Sequence, residues 1–329
     1  MLAMENSQFL SKCSADAINS AAETLIKGNL VAFPTETVYG LGADALNSSA
    51  VARIYEVKGR PHDHPLIVHV PSLNAAQDWF SEIPDYAIQL AREFWPGPMT
   101  LILNRANIAK DFITGGQATV GIRVPNHPIA LALLEAFSKI GGKGIAAPSA
   151  NRFGYVSPTT APAVSSELGN FLKSEDQILD GGACMVGVES TIIDCTGEKP
   201  RILRPGAITE KMIVSATDLA IFSDIRKDEI PEIRVSGSLE SHYSPRAMVI
   251  LDKSPTPGQG LIALADFPTP EGVIRLASPK SDEEFAHDLY ASLRAADVQG
   301  LAGVVVIQLQ SDGIAAAIRD RLKRAANGR

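Results

Sequence analysis

Apolar positions over the first two hundred residues switch repeatedly between the spacing of helices and that of strands. Ile18, Ala22, Leu25 and Ile26 recur at helical spacing; Ser14 or Asp16 can cap that helix, and Gly28 is placed to stop it. A strand over 30–33 ends at Pro34, after which Thr35-Glu36-Thr37 is polar and Gly40 and Gly42 read as turn glycines. The next helix opens near Ser48 or Ser49. Its stripe of Val51, Ile54 and Tyr55 continues to Lys58, so a lysine ends the inward-facing side. Further strands are predicted over 66–70, 100–103, 119–124, 144–147, 177–180, 188–194 and 201–203. Between them, Ala87, Leu90, Ala91 and Phe94 form a helical stripe that Pro96-Gly97-Pro98 ends, and Pro128 opens a helix through Phe137.

From Thr209 to about Pro245 the pattern weakens into short apolar patches, the charged run Arg226-Lys227-Asp228-Glu229 and the polar Ser236-Gly237-Ser238, which together predict an extended linker. Regularity then returns. Strands are predicted over 247–251, 261–266, 273–276 and 303–309. A helix is capped by Ser281 with Glu284 in a capping box, and a last helix turns Ile314, Ile318 and Leu322 inward. The expectation is an α/β protein in three parts: a larger domain over 1–208, a linker over 209–246 and a smaller, parallel, Rossmann-like domain over 247–329.

Composition narrows the class. A chain of 329 residues, 45% hydrophobic and 20% charged, fits two soluble globular domains, and 26 glycines with 21 prolines fit no collagen-like or low-complexity class. Cys13, Cys184 and Cys195 form no C-x-x-C pair and are odd in number, which fits a reducing cytosol better than a disulfide framework or zinc ribbon. No basic-then-apolar leader and no bilayer-length apolar run is present, so the expected location is cytoplasmic, away from membranes. Thirty basic against 37 acidic residues give a net charge of −7, which argues against a long basic face for a polyanion but leaves small anions open.

Against that acidic background, Lys58, Arg60, Arg123 and Arg204 fall at element ends beside Gly or Pro, where α/β sheets present ligand crevices. Alternation over 119–124 puts Thr119, Gly121 and Arg123 on one face, which reads equally as a solvated face or a site. Lys58-Gly59-Arg60-Pro61 reads either as a helix end with a dipole-complementing lysine or as a two-cation clamp for a triphosphate or carboxylate; the stripe position of Lys58 favours the clamp. His69 shares its strand face with Ile67, so a partner or ligand must be supplied there. His62, His64 and His69 lack a carboxylate at metal-ligand spacing. Ala147-Pro148-Ser149-Ala150-Asn151 follows a buried strand with a hydroxyl and an amide, and Glu189-Ser190-Thr191 opens another. There is no G-x-x-x-x-G-K-[ST] loop and no G-x-S-x-G elbow. The G-x-G-x-x-A match at Gly40 stands apart from its helix, which leaves a dinucleotide dehydrogenase a secondary reading.

Taken in order, Phe33-Pro34-Thr35-Glu36-Thr37-Val38-Tyr39-Gly40-Leu41, Lys58-Gly59-Arg60-Pro61, Pro65-Leu66-Ile67-Val68-His69, Trp95-Pro96-Gly97-Pro98-Met99-Thr100, Arg123-Val124-Pro125, Ala147-Pro148-Ser149-Ala150-Asn151, Gly187-Val188-Glu189-Ser190-Thr191, Leu203-Arg204-Pro205-Gly206 and His242-Tyr243-Ser244-Pro245 strongly resemble the threonylcarbamoyl-AMP synthase family in its two-domain form. The resemblance implies a YrdC-like twisted mixed sheet with flanking helices followed by the Rossmann-like domain. It implies synthesis of L-threonylcarbamoyladenylate from L-threonine, bicarbonate and ATP, with pyrophosphate released, for N6-threonylcarbamoyladenosine at tRNA position 37. Carried over by motif, Thr37, His69, Arg123 and Ser190 would hold threonine. Lys58, Arg60, His64, Thr119, Ser149, Asn151, Thr159, Arg204 and Tyr243 would hold ATP, Tyr243 reaching back from the linker, and Mg²⁺ would ride on the phosphates. No residue is expected to form a covalent intermediate; Lys58 and Arg60 would act by positioning. The implied partner is the tRNA threonylcarbamoyl transferase machinery downstream, and direct tRNA binding is not the primary expectation. Two departures stand out: His64 replaces a frequent asparagine, and the stretch 236–241 before His242-Tyr243 carries no basic residue. An RNA-binding module and a non-catalytic ATP-binding regulator are the alternatives; a salt titration separates the first and product analysis the second.

Overall fold

The computed structural model of the chain describes residues 13–222, 233–237 and 242–328, so the charged run at 226–229 and linker positions 238–241 lie outside the described residues. Nine strands form one mixed sheet: β1 (Val31–Phe33), β2 (Gly40–Asp44), β3 (Ile67–His69), β4 (Met99–Asn104), β5 (Thr119–Arg123), β6 (Ile145–Ala146), β7 (Gln177–Ile178), β8 (Thr191–Asp194) and β9 (Arg201–Arg204). Their spatial order is β7-β1-β2-β6-β3-β5-β4-β8-β9. Strands β3 and β5 run parallel in the middle, and register sets His69 directly beside Arg123.

Eight helices of two turns or more are described: α1 (Ala15–Ile26), α2 (Ser48–Lys58), α3 (Asp85–Phe94), α4 (Pro128–Lys139), α5 (Ala161–Leu168), α6 (Glu210–Thr217), α7 (Asp282–Val298) and α8 (Ile314–Ala326). Alternation along the β1 segment sends Val31 and Phe33 into a cluster with Leu25 of α1 and Leu133 of α4, and Leu30 and Ala32 into another with Ile54 of α2 and Leu90 of α3. Both sheet faces are therefore covered. A second sheet contains β10 (Met248–Leu251), β11 (Gly260–Ile262), β12 (Ile274–Ala277) and β13 (Gly303–Val306), all parallel, in the order β10-β13-β11-β12. Its core continues into the first domain: Val38, Val156 and Val188 pack in one cluster with Tyr243, Phe285 and Leu289. No helix among the described residues is long and apolar enough to cross a membrane.

The structure corrects two predicted elements. Gly40 and Gly42 belong to strand β2, paired with β1 and β6, rather than to a turn. At Gly42 a Cβ would lie 2.7 Å from Ile145 Cγ2 and 2.9 Å from Phe33 Cε1, so the glycine is there for close packing. The segment predicted as extended linker begins with helix α6, capped by Thr209, whose only buried residues are Ile213 and Thr217. Two inward positions in eight residues are too few to register as a periodic stripe. The capping box at α7 also differs in detail. Ser281 accepts from the Glu284 amide, while the Glu284 carboxylate takes the Lys280 amide.

Candidate active site

Helix α2 delivers the first cation. Asn47 caps its start, and its buried face runs Val51, Ile54, Tyr55, Lys58; Gly59, left-handed at φ 61°, then ends it. Because Lys58 continues an apolar stripe, it is 1% exposed. Its ammonium donates to the carbonyls of Ser149 (2.6 Å) and Asn151 (2.5 Å). Burial, followed by the neighbouring charge of Arg60, holds that ammonium well below the usual lysine range. Past the turn, Arg60 Nη2 donates to Pro65 O and Ser236 Oγ, each at 3.1 Å, with the Phe153 ring 5.8 Å from the guanidinium. Burial brings Arg60 down to about 10, which leaves it a cation at neutral pH.

The sheet supplies the second group. His69 and Arg123 are register partners, and burial, then Arg123, lower His69 to about 3, so the ring is neutral. Arg123 Nη2 lies 2.8 Å from Glu36 Oε1, with both side chains buried. At the end of β9, Arg204 donates through Nε and Nη2 to Ser190 O (3.1 and 3.0 Å), and Ser190 Oγ pairs with Thr100 Oγ1 at 2.8 Å. Thr37 Oγ1 shares a 2.8 Å hydrogen bond with Thr35 in the polar segment after β1.

The linker closes over these groups. Ser236 O accepts from Arg204 Nη1 at 2.9 Å, and Ser236 Oγ accepts from Arg60 while donating to Pro65 O at 3.2 Å. Tyr243 sits at φ 61°, a left-handed backbone that a bulky residue adopts only when its surroundings fix it, and its ring is fully buried. Ten predicted residues, Thr37, Lys58, Arg60, His69, Arg123, Ser149, Asn151, Ser190, Arg204 and Tyr243, line one cavity. Three do not. His64 sits edge-on behind Phe153 at 5.3 Å; Thr119 lines an adjoining cavity that shares Ile67 and Ser236; Thr159 is buried in the wall, its carbonyl accepting the Cys184 amide at 2.9 Å.

Polar atoms without hydrogen-bond partners mark what the cavity is for. Arg60 Nε, His69 Nδ1, Arg123 Nε, Asn151 Oδ1, His242 Nδ1 and Tyr243 OH are buried and have none among the described residues. Each such atom costs ~1–3 kcal/mol until a partner arrives. Lys58, Arg60 and Arg204 direct their hydrogen bonds to carbonyls and serine hydroxyls, and none of the three faces a carboxylate at ion-pair distance among the described residues. The arrangement suits a ligand with a carboxylate, several phosphates and a hydrogen-bonding body. In the closed state the space open to a water-sized sphere is about 50 Å³, against the ~300–1,000 Å³ of typical ligand pockets.

Residues 23–206 match the Sua5_yciO_yrdC family model, described as "Telomere recombination", and residues 208–327 match "Threonylcarbamoyl-AMP synthase, C-terminal domain". The threonylcarbamoyl-AMP synthase of Pyrococcus abyssi is 38% identical over 95% of this chain and 94% of its own. The chain belongs to the threonylcarbamoyl-AMP synthase family. The Bacillus subtilis synthase is likewise 38% identical, over 95% of this chain and 93% of its own. The crystal structure of P. abyssi Sua5 complexed with L-threonine superposes with a TM-score of 0.83 at 36% identity, covering 95% of both chains. The family membership and mixed α/β architecture expected from the ordered motifs are thus met.

The sequence reading named Glu36 and Glu189 only as parts of motifs and Ser236 only as part of the polar linker, and it passed over Phe153 in the wall. A carboxylate embedded between apolar strands was the available signal for both glutamates. Nothing local announced Ser236.

Proposed function

We propose that the protein condenses L-threonine, bicarbonate and ATP into L-threonylcarbamoyladenylate, pyrophosphate and water, the activated intermediate for threonylcarbamoylation of adenosine at tRNA position 37. The observation that carries this reading is the convergence of Lys58, Arg60, Arg123 and Arg204, with six unpartnered polar atoms, on one enclosed cavity. Threonine's amine, after losing an ammonium proton, captures bicarbonate as a carbamate with loss of water. A carbamate oxygen then attacks the α-phosphorus and pyrophosphate leaves.

Roles follow from position. Arg123 takes the threonine carboxylate, exchanging part of its pairing with Glu36, and the unprotonated His69 accepts a hydrogen bond beside it, with Thr37 and Ser190 completing the pocket. Lys58, Arg60 and Arg204 neutralise the triphosphate, and Ser149, Asn151 and Tyr243 hold the rest of the nucleotide. The phosphates would displace Ser236 from Arg60 and Arg204, which couples nucleotide entry to linker movement. Carbamate and nucleotide carry negative charge at the bond being made, so fixed cations in a water-poor cavity favour the transition state without a covalent nucleophile. Mg²⁺ arrives on the triphosphate as part of the substrate. The nearby carboxylates Glu36 and Glu189 are each engaged by an arginine, and no group of three ligating side chains is found among the described residues. His64, Thr119 and Thr159 do not line the cavity in this closed arrangement. The product passes to the tRNA threonylcarbamoyl transferase machinery.

Mass spectrometry of reactions with and without each substrate tests this. The adenylate and pyrophosphate should form only when ATP, L-threonine and bicarbonate are all present, and a complete reaction without the adenylate overturns the reading.

A further inference from the structure

The C-terminal domain does not line the cavity, but it holds residues that do. Glu189, which lines the cavity one residue before Ser190, is gripped from that domain: Tyr290 of α7 donates its hydroxyl to Oε2 at 2.8 Å, and Arg321 of α8 donates Nε to the same oxygen at 3.0 Å. Ser157 Oγ donates to Oε1 at 2.6 Å from the opposite side. Both carboxylate oxygens are engaged. Arg321 is 1% exposed, and its guanidinium lies 5.4 Å from the Tyr243 ring, which stacks on Tyr290 at 5.7 Å. The ring of Tyr243, whose backbone is left-handed, is therefore held by two side chains that also hold Glu189. At the same junction a Cβ on Gly187 would lie 2.3 Å from the Ala286 carbonyl of α7, so the helix is seated directly on the loop leading to Ser190.

We propose that the C-terminal domain is a working part of the synthase site: Arg321 and Tyr290 are positioning residues that clamp Glu189 and Tyr243, fixing Ser190 for threonine and the Tyr243 hydroxyl for nucleotide. This rests on the reading under Proposed function. Arg321 makes no contact with the cavity's phosphate-facing cations through a hydrogen bond; it acts through Glu189 and the Tyr243 ring. A buried arginine spanning two domains is costly unless fully paired, and here Glu189 and Asp320 pair it. The cation holds Glu189 as a carboxylate. Burial would raise that group, but Arg321, then Arg204 and Ser157, outweigh it and bring it to about 2.

A second interdomain pair provides the control. Arg294 of α7 meets Glu167 of α5 at 3.0 Å and the Val156 carbonyl, joining the same two domains without lining the cavity. The experiment uses the full chain and measures KM for L-threonine and ATP, kcat and thermal midpoint in Arg321→Met, Arg321→Lys, Tyr290→Phe and Arg294→Met. Groups that hold substrate and transition state alike act on KM, so Arg321→Met should raise KM for both substrates roughly tenfold with kcat within about twofold. Arg321→Lys should recover part of that rise, Tyr290→Phe should give a smaller one, and Arg294→Met should leave KM unchanged while lowering the midpoint. If Arg321→Met does not fold, Tyr290→Phe, which removes one hydroxyl, carries the test with an expected rise of about threefold. Wild-type KM values in the folded clamp variants, or an equal rise in Arg294→Met, overturn the proposal. A wild-type protein that makes no adenylate sinks the underlying reading instead, so the two failures are distinguishable.

Discussion

The two sides of the cavity treat buried polar groups in opposite ways. On the sheet side, Arg60, His69, Arg123 and Asn151 each keep a buried atom without a hydrogen-bond partner, and the buried cations Lys58, Arg60 and Arg204 meet mostly carbonyls. At the Glu189 clamp, against the C-terminal domain, both carboxylate oxygens are occupied, by Ser157 on one and by Tyr290 and Arg321 on the other, while the Tyr243 hydroxyl and His242 Nδ1 of the adjoining linker stay open like the sheet-side atoms. Unpaired groups raise the energy of the empty site and are relieved by substrate, whereas paired groups hold shape whether or not substrate is present. Function and stability should therefore separate by side when residues are changed.

The sharpest way to break this contrast is at Lys58. Lys58→Met keeps the stem's volume and deletes a buried ammonium, so turnover should fall by ~10²–10³-fold, the cost of removing one preorganised electrostatic group. The thermal midpoint should fall only modestly, because losing the hydrogen bonds to Ser149 O and Asn151 O is offset by removing a charge desolvated without a carboxylate partner. A folded Lys58→Met protein with near-normal turnover would place the sheet side among ordinary structural surfaces.

Next comes the lid. Gly237 stands at φ +83°, and a Cβ there would lie 2.2 Å from the Tyr243 hydroxyl. Gly237→Ala should prevent closure and lower kcat/KM by about tenfold or more, while the distant cores keep their midpoint. Steady-state kinetics with ATP varied, beside a melting curve, checks both halves.

How far the sequence alone foretold this division depends on range. Lys58 was legible because it extended the stripe of Val51, Ile54 and Tyr55 into the interior, and Arg123 because strand alternation set it opposite the apolar face. The mixed sheet and the parallel second domain followed from ordered motifs and strand-helix alternation. Glycine misled at β2, since Gly42 serves packing against Phe33 and Ile145, which only the folded neighbours reveal. The Glu189 clamp was out of reach: its partners lie 101 and 132 residues away along the chain. Even so, Arg321 falls three residues after Ile318 on the inward side of α8, where an arginine among Ala317, Leu322 and Ala325 signals a paired charge.

Acid sharpens the comparison because it acts on both sides with one sign. His69 and His242 are lowered to about 3 by burial, so between pH 6.5 and 3 the unfolded chain takes up protons that the folded chain refuses. Glu189, at about 2 against a usual 4.5, adds to this below pH 4.5. Stability is complete above pH 6.5 and falls as pH drops through that window. Midpoints measured from pH 7 to 4 should decline steadily, and His69→Gln should flatten the upper part of the decline. An unchanged slope in that variant would mean that His69 is protonated in the fold.

The smallest expected effect is at Ser157, at the Glu189 clamp. Its hydroxyl gives Glu189 Oε1 a 2.6 Å hydrogen bond and does not line the cavity. Ser157→Ala should cost about 1.5–3 kcal/mol of stability, the range for a hydrogen bond to a charged group. The carboxylate keeps Arg321 and Tyr290 on its other oxygen, so Ser190 and Tyr243 should stay in place and kcat/KM should change by less than about twofold. Denaturant titration beside kinetics measures the two independently. A large loss of kcat/KM with little loss of stability would invert the contrast, because it would make the Ser157 side of Glu189 responsive to substrate rather than fixed.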